Sequence, residues 1–132
     1  MSEQFRIEAR LISELKPSAD NYNRHSPEQV RRLAESLRVH GQQKNISIRE
    51  DGTILAGHGL VEGAKLLGWE RMVCKVYDGA NDRAWMVADN YLATLAEPDE
   101  AALAAVLKDL EAAGTLLDTG FDEKEFAELM AR

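Results

Sequence analysis

Ile54-Leu55-Ala56-Gly57-His58-Gly59-Leu60 decides how this chain folds. The first three residues are apolar and predict a buried strand, and helical spacing then runs from about Leu60 to Leu67, with Gly68 as a stop. A strand that passes through Gly-x-Gly into a helix puts a helix N-terminus at the turn. Backbone N–H groups are unpaired there, and the helix dipole adds a partial positive charge. An anion satisfies both, and glycines without a Cβ let its oxygens come close. His58 adds a side-chain donor whose charge is tunable near neutral pH. The competing reading is that Gly57 and Gly59 only permit a tight turn. The spacing is not a P-loop, since no Gly-Lys-Ser/Thr follows. Gly57, Gly59 and Gly63 only loosely imitate the dinucleotide fingerprint.

Upstream, Ile46-Ser47-Ile48 and Thr53-Ile54-Leu55 flank Glu50-Asp51-Gly52, and Asp-Gly between apolar runs predicts a hairpin. Further back, Ser26 is an N-cap, Pro27 suits the first helical position and Gln29 completes a capping box. Val30, Leu33, Ala34 and Leu37 form the buried stripe of that helix, with Arg31, Arg32 and Arg38 mostly off it and Gly41 at its end. The alternation from Phe5 to Ile12 predicts a strand, and Lys16 to His25 a polar loop.

Downstream, Met72 to Tyr77 is another strand, and from Asp82 the pattern is helical. Ala84, Ala88, Tyr91, Leu92 and Leu95 form one expected stripe, and Leu103, Val106, Leu107 and Leu110 a second. Asp122 and Glu125 box a last short helix. The fold class is α+β: a small mixed sheet with inserted helices over residues 1–80, then a helical extension over 81–132 packing on it.

At 132 residues with 45% apolar content, the chain suits one domain with a real core. Charge is uneven. Residues 1–78 hold 12 Lys/Arg against 11 Asp/Glu, whereas residues 79–132 hold 4 against 12, so an anion site belongs in the first half. The overall −7 argues against stand-alone DNA binding. No apolar run approaches the ~20 residues that span a bilayer. Met1 to Phe5 carries no signal-peptide pattern, and Cys74 is the single cysteine. The expectation is a cytoplasmic protein without a disulfide, Cys74 being a small core residue.

The order of motifs resembles the ParB/sulfiredoxin-like superfamily, and within it the ParB-like nuclease domains of bacterial phage and mobile-element proteins, often found beside DNA methyltransferase modules. The resemblance runs over residues 7–130. It is carried by Asn21-Tyr22-Asn23-Arg24-His25-Ser26, by Leu33-Ala34-Glu35-Ser36-Leu37, by Gln43-Lys44-Asn45-Ile46, by the glycine turn and by Val87-Ala88-Asp89-Asn90. In ParB proteins the equivalent Gly-x-Arg-Arg segment binds the triphosphate of CTP. In sulfiredoxins a related turn binds ATP, and a serine kinase uses the scaffold with ADP. The resemblance therefore implies a nucleoside triphosphate, CTP or ATP, with Mg²⁺. Gly57, His58 and Gly59 would cradle phosphate, and Arg24, His25, Gln43 and Lys44 would approach from the loops. Asn90 would close the site and Asp89 would reach it through Mg²⁺.

One position departs from the family pattern. Related domains carry arginine after Gly-His-Gly, and Leu60 stands there. An arginine fork contributes charge-assisted bonds to phosphate, so its absence favours binding over catalysis. Arg24, Lys44 or Lys65 are the candidate substitutes. Three functions follow: a nucleotide-binding switch or adaptor, with a homodimer as one option, in DNA-related processes beside DNA or a DNA-modifying partner; an NTPase, phosphotransfer enzyme or nuclease using His58, Glu62 and Asp89; or a DNA-binding module with a vestigial pocket.

Overall fold

The computed structural model describes residues 6–132. Phe5, expected to open the first strand, lies outside the described residues. The strand is β1 (Ile7–Leu11), and a 3-10 turn at Ile12–Glu14 follows it. Then come α1 (Pro27–His40), β2 (Ile46–Ile48), β3 (Ile54–Ala56), α2 (His58–Leu66) and β4 (Arg71–Val76). Three further helices complete the chain: α3 (Asp82–Ala93), α4 (Glu100–Ala112) and α5 (Glu123–Met130). The fold is α+β, as the sequence indicates.

The strands form one mixed sheet in the order β1-β4-β2-β3. β2 and β3 pair antiparallel as the Asp-Gly hairpin, while β4 runs antiparallel to β1 and parallel to β2. A parallel pair needs a crossover, and the passage from β2 to β4 supplies it through β3 and α2. Period-2 alternation turns Met72, Cys74 and Val76 inward from β4. They join Ile46 and Ile48 of β2, Leu37 of α1, and Val61 and Ala64 of α2 in one core. Cys74 is fully buried there, and burial pushes its thiol pKa up.

Two expectations need correction. Ser26 caps α1, its Oγ accepting from the Gln29 N–H at 3.0 Å. The reciprocal half of the box is not made, because the Gln29 side chain bonds His25 Nδ1 at 2.9 Å instead. The second correction concerns α3. Met86 is its buried residue, whereas Ala84 is exposed and Tyr91, Leu92 and Leu95 are 56%, 60% and 59% exposed. The helix is anchored by its first turns: Asn81 caps it, Arg49 ion-pairs with Asp82, and Trp85 Nε1 donates to Ser47 Oγ at 3.1 Å. It packs on β3, which is three residues long and so spans about 10 Å. Twelve helical residues extend about 18 Å, and the second half runs past its support.

Candidate functional site

The glycine turn borders a cavity of ≈ 550 Å³ between α1, the α1–β2 loop and the start of α2, with Asn90 of α3 on its rim. Helix α2 has no side-chain cap. Its N-cap is Gly57 at φ 103°, and its first intrahelical bond runs from the Val61 N–H to the Gly57 carbonyl at 3.0 Å. The N–H groups of His58, Gly59 and Leu60 therefore have no helical partner. The other four α-helices are each capped by a side chain, from Ser26, Asn81, Asp99 and Asp122.

The two glycines have distinct reasons. At Gly57 the backbone is left-handed, which disfavours any side chain, and a Cβ would lie 2.7 Å from Ile46 Cδ1. Gly59 is not strained. A Cβ there would lie 2.8 Å from Leu33 Cδ1 and 3.0 Å from Cε1 of His25. Its identity lets the His25 ring and α1 close onto the first turn of α2. A tight turn alone requires Gly57, whereas Gly59 is required by what packs over it.

The chain's three histidines, His25, His40 and His58, all line this cavity. The Ser18 N–H donates to His58 Nε2 at 3.2 Å, so that nitrogen is an acceptor and the ring proton sits on Nδ1. Burial lowers the His58 pKa, the charge of His25 adds to that effect, and Glu62 opposes it. His58 is thus a neutral imidazole at physiological pH. His40, in the last turn of α1, bonds the Asp118 carbonyl through Nε2 at 2.8 Å.

No Asp or Glu lines the cavity, in a chain with 23 of them. Lys44 is in the lining and makes no ion pair among the described residues. Gln43 lines it too, its Nε2 donating to the His40 carbonyl at 2.7 Å. Asn90 donates Nδ2 to the Met86 carbonyl at 3.2 Å, leaving its amide oxygen available at the rim. Leu60 stands in the wall and packs against the core, where it supplies apolar surface.

Three expected residues lie outside this lining. Arg24 is exposed next to His25 and makes no ion pair among the described residues. Glu62 pairs with Lys65 at 3.1 Å on the exposed side of α2, which also occupies Lys65. Asp89 is exposed on α3. The residues present do not form a Mg²⁺ site: the lining offers no carboxylate, and no group of three His, Cys, Asp or Glu among the described residues could hold a metal. Sequence reasoning did not single out His40, Asn21, Asn23 or Gln29, all in the wall. Asn21 and Asn23 belong to the motif that opens α1. His40 gave no local signal, since it reaches the site only through the length of that helix.

The sheet order, the uncapped helix after β3 and the cavity over it define a ParB N-terminal-type fold. The structure superposes on the C-terminally truncated chromosome-partitioning protein ParB from Caulobacter crescentus, complexed with CTP-gamma-S, with a TM-score of 0.79. That match covers 95% of this chain and 77% of the other at 18% identity. A Pnob8-like ParB-N domain matches with a TM-score of 0.53 at 17% identity, over 86% of this chain and 51% of the other. In sequence, the chain is 40% identical over 82 residues to the ParB-like nuclease domain-containing protein YnaK of Escherichia coli (strain K12). The aligned stretch covers 62% of this chain and 94% of that protein. The chain belongs to the ParB-like nuclease domain family. No family model matches it.

Proposed function

We propose that this protein is a nucleotide-binding ParB-like domain that works as a switch or adaptor. The observation that carries this reading is the carboxylate-free cavity of ≈ 550 Å³ closing on the one side-chain-uncapped α-helix N-terminus among the described residues. Its volume lies within the range typical of small-molecule sites. The likeness to a ParB crystallised with a CTP analogue supports a nucleoside triphosphate as ligand. In this reading the N–H groups at 58–60 and the Nδ1–H of His58 hold phosphate, Lys44 and Arg24 supply positive charge, and the amides of Gln43 and Asn90 meet the rest.

The site favours binding over turnover. Glu62 is tied to Lys65, Asp89 stands outside the lining, and His58 Nε2 is already engaged by Ser18. Direct DNA contact through α1 is also disfavoured, because Arg31, Arg32 and Arg38 are paired with carboxylates. In this reading a DNA-related role falls to a partner rather than to α1 itself. Calorimetry with CTP, ATP, GTP and ADP, with and without Mg²⁺, tests the reading. A saturable response to a triphosphate is expected; silence towards all four at millimolar concentration refutes it.

A further inference from the structure

Three histidines, no carboxylate and one unpaired lysine in a single cavity have a consequence for how an anion is neutralised. We infer that His25 is the ionising contact of this site, taking up a proton at Nε2 when a polyphosphate binds and so supplying the charge that Leu60 does not. This rests on the reading of the cavity as a phosphate site.

Hydrogen bonding separates the three rings. His58 Nε2 accepts from the Ser18 N–H, so protonating it would break that bond and bury a charge. His25 is arranged the other way. Its Nδ1 is held by Gln29 Oε1 at 2.9 Å, an acceptor, which puts a hydrogen on Nδ1. Its Nε2 has no partner among the described residues, and a proton adds there without losing a bond. His40 likewise keeps one nitrogen available, since Nε2 donates to the Asp118 carbonyl. It sits fifteen residues further on, about 20 Å away at helical rise. Only His25 rests on Gly59, beside the open N–H groups of α2.

The charges around His25 set the direction of coupling. Arg24 precedes it, Lys44 lies in the same lining, and His58 on α2 is neutral. The carboxylates on its flanking helices are paired, Glu28 with Arg31 and Arg32, Glu35 with Arg38, and Glu62 with Lys65. α3 presents the uncharged Asn90 to the cavity. A bound polyphosphate places negative charge beside His25 and favours a proton there.

Tripolyphosphate is the probe, because it carries the anion without a base. The Cε1–H resonances of three histidines are resolvable by NMR and can be titrated with and without it. The expected result is that the backbone amides at 58–60 shift on binding and the His25 midpoint moves to higher pH, while His58 stays neutral. Uptake of one proton makes affinity fall as pH rises, by up to about tenfold per pH unit. Calorimetry in two buffers of different ionisation enthalpy should show proton uptake beyond the probe's own, abolished in His25→Gln. If the amides respond but the His25 midpoint does not move, or His25→Gln keeps the same uptake, the inference is overturned and the phosphate site stands. If neither amides nor heat respond at any pH, the phosphate reading falls and this inference with it. The titration on the unmodified protein decides the matter even if His25→Gln folds poorly.

Discussion

Helix α1 has a cavity on each side, and the two are built on opposite principles. On one side lies the histidine-lined cavity, where backbone donors, Lys44 and three imidazoles face no carboxylate. On the other lies a groove of ≈ 310 Å³ between α1 and the segment leading into α5. There every cation has a partner. Arg31 reaches Glu28, and Arg32 bonds Asp122 at 3.0 Å, Glu125 at 2.7 Å and the Gly120 carbonyl at 3.2 Å. The groove has more formal charge, but both of its arginines are already paired. The cavity has less, and most of it is unspent. What distinguishes the candidate site is unsatisfied hydrogen-bonding capacity, since paired charges have already used theirs.

The largest test of this contrast fills the gap between α1 and α2. In Gly59→Val the new atoms meet Leu33 and His25, and overpacking of this kind typically costs about 1–3 kcal/mol. Urea unfolding should show that loss, and calorimetry should show triphosphate binding weakened at least about tenfold, with the groove intact. A next comparison sets one cation from each side against the other. Lys44→Ala should weaken triphosphate binding by about tenfold, the value of a charge-assisted hydrogen bond. Arg31→Ala should leave the dissociation constant unchanged. Equal effects from the two would erase the distinction drawn here.

Proton linkage gives a smaller effect. The His58 pKa is lowered by burial, so the unfolded chain takes up its proton at a higher pH than the folded chain does. Stability from this group is present above about pH 6.5 and is lost as pH falls towards the folded value. Thermal melts from pH 8 to 5 should show the decline, and His58→Gln should flatten it. The smallest effect belongs to the groove. The Asp122 pKa is lowered by the Glu125 backbone N–H and by Arg32, and that of Glu28 by Arg31 and Arg32. Groups depressed in this way stabilise above the normal carboxylate range and lose that contribution as pH falls through the folded value. Arg32→Gln should speed amide exchange in α5 while leaving ligand affinity alone. A change in affinity would mean that the groove is coupled to the cavity after all.

Much of the fold was legible because the signals were local. Asp51-Gly52 marked the hairpin, Ser26 and Asp122 marked helix starts, and Gly57 marked the strand-to-helix turn. The candidate site was legible in part. His25, His58, Gln43, Lys44 and Asn90 do line one cavity, whereas Arg24, Glu62 and Asp89 stand outside its lining. Asp89 and Asn90 are neighbours in sequence, but a helix turns about 100° per residue, and only one of them can meet the rim. The misplaced stripe of α3 has a similar origin: periodicity reports that a helix has an apolar face, and says nothing about how far its support extends.

The sequence by itself determined where strands, turns and helices begin, and that an uncapped helix would follow Gly57, since these depend on residues a few positions apart. Tertiary structure decided the rest. It set the order β1-β4-β2-β3, brought His25, His40 and His58 to one cavity, and paired Arg32 with residues some ninety positions away. The physical reason is range. Backbone geometry and capping act within a turn of the chain, whereas burial and charge pairing depend on what the folded chain brings alongside.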